Sequence, residues 1–220
     1  DLFTPGGSAS RDFQYDSKWL STNTLKYNTG FGKSTVSALA GYSYETALFD
    51  RILVAGTGFA SDGLPNVVSA ATPTSTVEER SEWALESQFG RFNYGYDNKY
   101  LLEASIRRDG SSRFGADNRY ALFYAISGGW VLSEEKFMKN QKFINFLKLT
   151  ASYGTAGNDR IGNFSSLDLY GGGVLSDYGG SPGLRPTQVP NRSLTWEETA
   201  QLDLGFNTTF YKNMFTLSVN

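Results

Sequence analysis

The run YLLEASIRR, residues 100–108, sets Leu102, Ala104 and Ile106 at alternate positions against Glu103, Ser105 and Arg107. A period of two sends successive side chains to opposite sides of a strand, so such a run cannot be a helix with one apolar face. The pattern recurs downstream. In YALFYAISGGWVL, Leu122, Tyr124, Ile126 and Trp130 oppose a small set, Ala121, Ala125, Ser127 and Gly129. In LKLTASYG, Leu147, Leu149, Ala151 and Tyr153 oppose Lys148, Thr150, Ser152 and Gly154. In TAQLDLGFN, Ala200, Leu202, Leu204 and Phe206 oppose Gln201, Asp203, Gly205 and Asn207, and Phe215, Leu217 and Val219 continue the theme against Thr216 and Ser218.

These runs predict about eight strands, near 19–27, 34–44, 81–94, 99–108, 120–132, 146–156, 195–209 and 214–220. Past Phe89 the apolar phase slips through Arg91 and Phe92, as a bulge would make it do. Several runs exceed the ~5–6 residues usual in soluble sheets and match the ~9–11 tilted residues that cross a bilayer. The links alternate in length. NTGFGK, GYDN and YKN are short and SEEKFMKNQKFIN is moderate, whereas 45–80, 109–119 and 157–194 read as long segments. Strands running up and down would put every shorter link at one end and every longer one at the other, the asymmetry of outer-membrane barrels. Trp130, Tyr100, Tyr42 and Tyr44 fall near strand ends, where rings favour a membrane-water boundary. The predicted fold class is all-β, an antiparallel up-and-down transmembrane barrel segment.

Composition closes off several chemistries. The chain has no cysteine and no histidine, which removes disulfides, thiolate sites, Ser-His and Cys-His catalysis and the usual zinc sites. A net charge of −2 provides no broad positive field for nucleic acid. The N-terminal DLFTPGGSAS has neither the basic start nor the apolar centre of a signal peptide, and FTLSVN stops within an alternating run, so the expectation is a slice of a longer protein.

Four stretches carry candidate chemistry. RRDGSSRFG, Arg107 to Gly115, lies between two alternating runs with Asp109-Gly110 as a turn dipeptide, and reads as a hairpin tip rather than an anion cradle. The acid pairs Glu78-Glu79, Glu134-Glu135 and Glu197-Glu198 point to opposite sides of a strand or into solvent, which argues against a hydrolytic dyad and against an enzyme. GTAGNDRIGN offers Asn158, Asp159 and Asn163 as oxygen donors without the spaced acids of a calcium loop, and reads as a turn. LYGGGVLSDYGGSPGLRP brings Tyr170, Asp177, Tyr178 and Arg185 into one glycine-rich segment, where tyrosine faces suit sugar rings and Asp or Arg suit hydroxyls. Those four and Arg113 are the candidate ligand contacts. No metal or other cofactor is expected.

Read together, YLLEASIRRDGSSRFGADNRYALFYAISGGWVLSEEKFM, INFLKLTASYGTAGN and PNRSLTWEETAQLDLGFNTTFYKNMFTLSVN closely resemble the barrel region of SusC/RagA-type TonB-linked outer-membrane transporters of Bacteroidetes. The resemblance covers residues 99–220 strongly; LFYAIS departs from it, since the family more often has a Phe-Pro pair near Phe123-Tyr124. It implies a barrel of about 22 strands with an N-terminal plug, a SusD-like surface lipoprotein as lid, and TonB-energised import of oligosaccharides or peptides. Residues 1–220 would then be partial barrel, without plug, TonB box or signal peptide. Leu102, Ile106, Leu147, Leu149, Leu202 and Leu204 would face outer-membrane lipid, and Glu103, Arg107, Lys148, Gln201 and Asp203 the lumen. A self-closed eight-stranded barrel acting as adhesin or anchor, and a soluble carbohydrate-binding β-sandwich, are the alternatives.

Overall fold

The computed structural model describes residues 7–61, 63, 66–173 and 176–220. Expectations resting on DLFTPG and on residues 62, 64, 65, 174 and 175 fall outside the described residues. Among the described residues ten strands follow in order: β1 Ser8–Phe31, β2 Ser34–Phe59, β3 Ala70–Tyr96, β4 Tyr100–Ser111, β5 Tyr120–Val131, β6 Ile144–Asn158, β7 Leu169–Gly171, β8 Arg185–Gln188, β9 Glu197–Phe210 and β10 Phe215–Val219. Short 3-10 turns lie at Val67–Ser69, Ala116–Asn118 and Leu132–Glu134. Two compact units emerge, residues 1–20 with 45–84, and residues 21–44 with 85–220.

The larger unit carries part of every strand of an eight-stranded sheet ordered β1-β2-β3-β4-β5-β6-β9-β10, each strand beside its neighbour in sequence once the small β7-β8 hairpin is set aside. From β3 to β10 every pairing is antiparallel. Cross-strand partners share a face, so the register defines two sides. One side carries Phe92, Tyr94 and Tyr96, then Tyr100, Leu102, Ala104 and Ile106, then Leu122, Tyr124, Ile126 and Trp130. It continues through Leu147, Leu149, Ala151 and Tyr153 to Leu202, Leu204 and Phe206, and on to Phe215, Leu217 and Val219. The other side carries Arg91, Asn93, Glu103, Ser105, Arg107, Ser127, Lys148, Ser152, Gln201 and Asp203.

No bulge follows Phe89 in the β3-β4 ladder. The β3-β4 register runs unbroken from Leu85↔Ser111 to Tyr96↔Tyr100, and the phase slip in the sequence is a change in which face holds the apolar residue. Leu85 and Phe89 lie on the polar side, with the Arg107 guanidinium 5.7 Å from the Phe89 ring centre. Position 41 is glycine because any Cβ there would enter the Phe89 ring. Asp109-Gly110 is not the turn either. Both residues belong to the ladder, opposite Ala121 and Tyr120, and the reversal occupies 112–119.

The smaller unit overturns the reading of 45–80 as a loop, since β2 continues to Phe59 and β3 begins at Ala70. Period two is visible only where one face is held apolar. Here the strands are joined by polar links instead: Arg51 donates to Asp12 through Nε and Nη2 at 3.0 and 2.8 Å, Lys18 pairs with Glu45, and the Thr46 hydroxyl donates to the Trp83 carbonyl at 3.2 Å.

Tight links sit at one end of the larger unit. Residues 97–99 turn through positive φ at Asp97 and Asn98, 53° and 56°, which Asp and Asn tolerate better than other side chains. Lys33 and Lys99 lie 2.9 and 3.4 Å from the Asp97 carboxylate, and the Lys33 hydrogen bond holds that carboxyl below its ordinary range. Glu135 accepts from the Tyr100 hydroxyl at 2.6 Å and from Trp130 Nε1 at 3.1 Å, bonds that likewise lower its pKa. A carboxylate whose folded pKa is depressed stabilises the fold above its unfolded pKa and loses that contribution as pH falls through the folded value. Resistance of the full-length protein to urea should therefore weaken as pH drops from about 6 to about 3, and the Asp97→Asn, Glu135→Gln double variant should flatten that dependence.

Candidate functional site

Backbone pairing draws a straight row across the polar face: Asn93 opposite Glu103, Glu103 opposite Ser127, Ser127 opposite Ser152, Ser152 opposite Asp203. Its two carboxylates are partly answered. Arg91 Nε lies 3.6 Å from Glu103, and Gln201 Nε2 donates to Asp203 at 2.8 Å. Between them the side chains are small, so the row is a shallow shelf of hydroxyls bounded by acids, lining an open groove of about 430 Å³ with Ala125, Gly154 and Thr199. Such a shelf can exchange hydrogen bonds with hydroxyl or amide groups. Among the described residues no group of three acids is placed to hold a metal.

At the end of the shelf away from the short turns the chain folds inward. Phe114, Phe123 and Trp196, at 1, 6 and 7% exposure, form a buried trio with ring centres 5.1 Å (Phe114–Trp196) and 5.5 Å (Phe123–Trp196) apart. Trp196 Nε1 donates to the Arg119 carbonyl at 3.0 Å, and Asn118 Nδ2 to the Arg192 carbonyl at 3.2 Å. Gly157 lies under the Phe123 ring, where a Cβ would collide with it. Around the trio, Arg113 donates through Nη1 to Asp159 at 3.0 Å and through Nε to the Asn163 side chain at 3.0 Å, while the Ser111 hydroxyl donates to Asp159 at 2.9 Å. Arg107 donates to both Asp109 oxygens, at 2.7 and 2.8 Å, and to Ser87 Oγ at 2.9 Å. RRDGSSRFG is thus a ladder end plus an ion-paired clamp that fastens the 159–196 link to the wall.

The candidate contacts separate into two places. Arg113 sits in the clamp, committed to Asp159 and Asn163, while Asn158 turns to Glu197 and the Arg160 amide, so the three oxygen donors do not converge on one point. The other four share the β7-β8 hairpin, where Tyr170 pairs with Pro186 and Gly171 with Arg185. Tyr170 and Tyr178 are 61 and 88% exposed. Asp177 Oδ1 accepts from the Gly180 amide at 2.7 Å and so shapes the turn that closes Tyr178 on Ser181. Of the acid pairs, Glu197 accepts from Asn158 at 3.0 Å and Glu135 is held by Tyr100 and Trp130. The aromatic trio escapes sequence reasoning; its one signal is Phe114, a large apolar ring inside an otherwise polar tip.

An antiparallel meander with one apolar and one serine- and carboxylate-lined face is the wall of a transmembrane β-barrel. The chain belongs to the family described as "TonB dependent receptor-like, beta-barrel", whose profile matches residues 1–220. It is 41% identical over 201 residues to TonB-dependent receptor P39 of Formosa agariphila, covering 90% of this chain and 19% of that protein. Over 134 residues it is 40% identical to TonB-dependent receptor SusC of Bacteroides thetaiotaomicron, covering 56% of this chain and 13% of SusC. A solved structure of the RagAB peptide transporter superposes with a TM-score of 0.90 at 30% identity, covering 98% of this chain and 24% of that one. The chain spans about a fifth of the length of the curated relatives it matches, between 19 and 22% for three of them.

Removing one partner of a buried ion pair leaves the other uncompensated, at ~3–5 kcal/mol for full burial. Arg113 and Asp159 retain 15 and 18% side-chain exposure, so Arg113→Met should cost less, up to about 3 kcal/mol. Limited proteolysis of the full-length protein should then cut within 159–196 earlier than in wild type, and Arg113→Met with Asp159→Leu should recover part of the protection.

Proposed function

We propose that this chain forms wall and outward links of an outer-membrane active transporter that imports oligosaccharides or peptides, is energised by TonB through a plug, and works with a SusD-like surface lipoprotein. The observation that carries the reading is inverted polarity. Leu102, Ile106, Leu202 and Leu204 are 43, 53, 65 and 64% exposed, whereas Ser87, Asp109 and Ser111 on the opposite side are 1, 8 and 0% exposed. Water would not tolerate so continuous an apolar face on a soluble protein, whereas acyl chains require one.

Its height supports the same conclusion. Aromatic and cationic groups bracket the face: Tyr100 and Trp130 at the end with short links, and at the other Tyr120, with the Arg108 guanidinium 3.9 Å from its ring centre. From Tyr100 to Arg108 a strand tilted by ~40° rises about 21 Å, close to the ~25 Å apolar band of outer-membrane barrels. On this reading Leu102, Ile106, Leu147, Leu149, Leu202 and Leu204 meet lipid, and Glu103, Arg107, Lys148, Gln201 and Asp203 meet the lumen. The tight turns lie on the periplasmic side. Tyr170, Tyr178 and Arg185 offer exposed contacts to cargo or lipoprotein, while Asp177 and Arg113 fix the backbone that presents them. The relatives are receptors and transporters, and no hydrolytic role is proposed.

Uptake of labelled oligopeptides and oligosaccharides should fall when the full-length gene is deleted and in a strain lacking TonB. Uptake of the same cargo at wild-type rate in either strain would contradict the assignment. Leu204→Arg should cost ~2–4 kcal/mol in urea-dependent folding of the full-length protein into liposomes if Leu204 lies near the midplane, whereas Asp203→Asn should leave folding nearly unchanged.

A further inference from the structure

The end of the larger unit that carries the tight turns holds a charge surplus that the transporter reading does not use. Lys33 and Lys99 are balanced by Asp97 and Glu135. Lys136, Lys139, Lys142 and Lys212 are exposed, and among the described residues none has an acidic partner. Set against Glu134, the remaining acid of the 132–143 and 211–214 links, these four lysines leave a surplus of three positive charges.

Geometry gathers them. Along 132–143 the amide of Glu135 bonds to the carbonyl of Leu132, Met138 to Glu135, Lys139 to Lys136 and Gln141 to Met138, each three residues back. The Lys139 bond to Lys136 stacks residues three apart, so Lys136 and Lys139 share a flank, and Lys142 follows directly after the Gln141–Met138 bond. The Tyr211 amide donates to the Phe143 carbonyl at 2.9 Å and the Asn213 amide to Asn145 Oδ1 at 3.2 Å, which brings Lys212 alongside. The segment is also tied to the apolar side. Phe143 stacks on Phe210, and Phe210 on Phe215, with ring centres 5.5 and 5.6 Å apart, while Tyr100 stacks on Trp130 at 6.4 Å. Phe137, Phe143 and Met214 are 66, 61 and 68% exposed beside the lysines.

An aromatic belt at the edge of an apolar face, with unpaired lysines and exposed apolar rings just beyond it, matches a layer of acyl tails topped by phosphate. We propose that the 132–143 link and the 211–214 turn form a docking surface for anionic phospholipid headgroups of the leaflet next to the tight turns, with Lys136, Lys139, Lys142 and Lys212 meeting the phosphates and Phe137, Phe143 and Met214 entering the interface. This rests on the apolar face being the lipid-facing one. A soluble acidic protein would meet the same charge but would leave the rings and Met214 in water, so the lipid is the better occupant.

The test uses the full-length protein in nanodiscs of phosphatidylcholine alone or with phosphatidylglycerol, followed by mass spectrometry of the lipids retained around the protein. Phosphatidylglycerol should be enriched, by about fivefold for each lysine that reaches a headgroup, and the enrichment should fall as salt rises. Changing the four lysines to Gln should abolish it, and changing them to Arg should restore it. Equal retention of both lipids, an enrichment that the Gln variant keeps, or lysine-dependent binding of soluble polyglutamate without lipid enrichment would overturn the docking surface while leaving the barrel intact. Failure of the wild-type protein to enter nanodiscs would overturn the lipid-facing assignment and the docking surface together.

Discussion

A backbone amide in hydrocarbon has no water to turn to, so every N–H and C=O that crosses a bilayer must find its partner in the protein. The antiparallel ladder from β3 to β10 supplies that partner residue by residue, with one register shift, at Ile144/Phe146 next to the 132–143 link. Everything else follows from keeping that ladder continuous. Side chains are then free to differ on the two faces, because neither face is needed to satisfy the backbone.

The two faces divide the work. One is apolar and ends in rings whose polar tips find partners, as Tyr100 and Trp130 do on Glu135. The other presents a row of hydroxyls between partly answered charges. Its only tightly packed apolar core in the larger unit is the Phe114, Phe123 and Trp196 trio among the described residues, and that core belongs to the clamp. The clamp explains how a long link can stand on the polar side without a layer of its own: aromatic burial and the Arg113–Asp159 pair fasten both ends of 159–196 to β4 and β5.

Much of this was legible in the sequence wherever one face had to be apolar. Leu102 to Ile106, Leu147 to Tyr153 and Leu202 to Phe206 stand on the face their spacing assigns. The 45–80 region was not legible, because strands held by Asp12–Arg51 and Lys18–Glu45 have no reason to alternate. Asp109-Gly110 misled for a related reason: the dipeptide has turn chemistry, but Arg107 and Ser87 give Asp109 better partners inside the ladder. The clamp was invisible because its bonds join residues far apart in the chain, such as Trp196 to Arg119, and no local period records them. The shelf from Asn93 to Asp203 needed the register, which alternation alone leaves open by two-residue steps.

The central claim is that the apolar face meets acyl chains and the polar face meets water. These 220 residues contain no cysteine, so with any cysteine elsewhere in the full-length protein replaced, single substitutions here can be read one at a time. The decisive measurement places Cys at Leu102, Glu103, Ala104, Ser105, Ile126 and Ser127 of the full-length protein in liposomes, labels each with a fluorophore and compares quenching by brominated lipid with quenching by aqueous iodide. The account requires lipid quenching at Leu102, Ala104 and Ile126 and iodide quenching at Glu103, Ser105 and Ser127. Iodide quenching at all six positions, or lipid quenching on the side of Glu103, would contradict it.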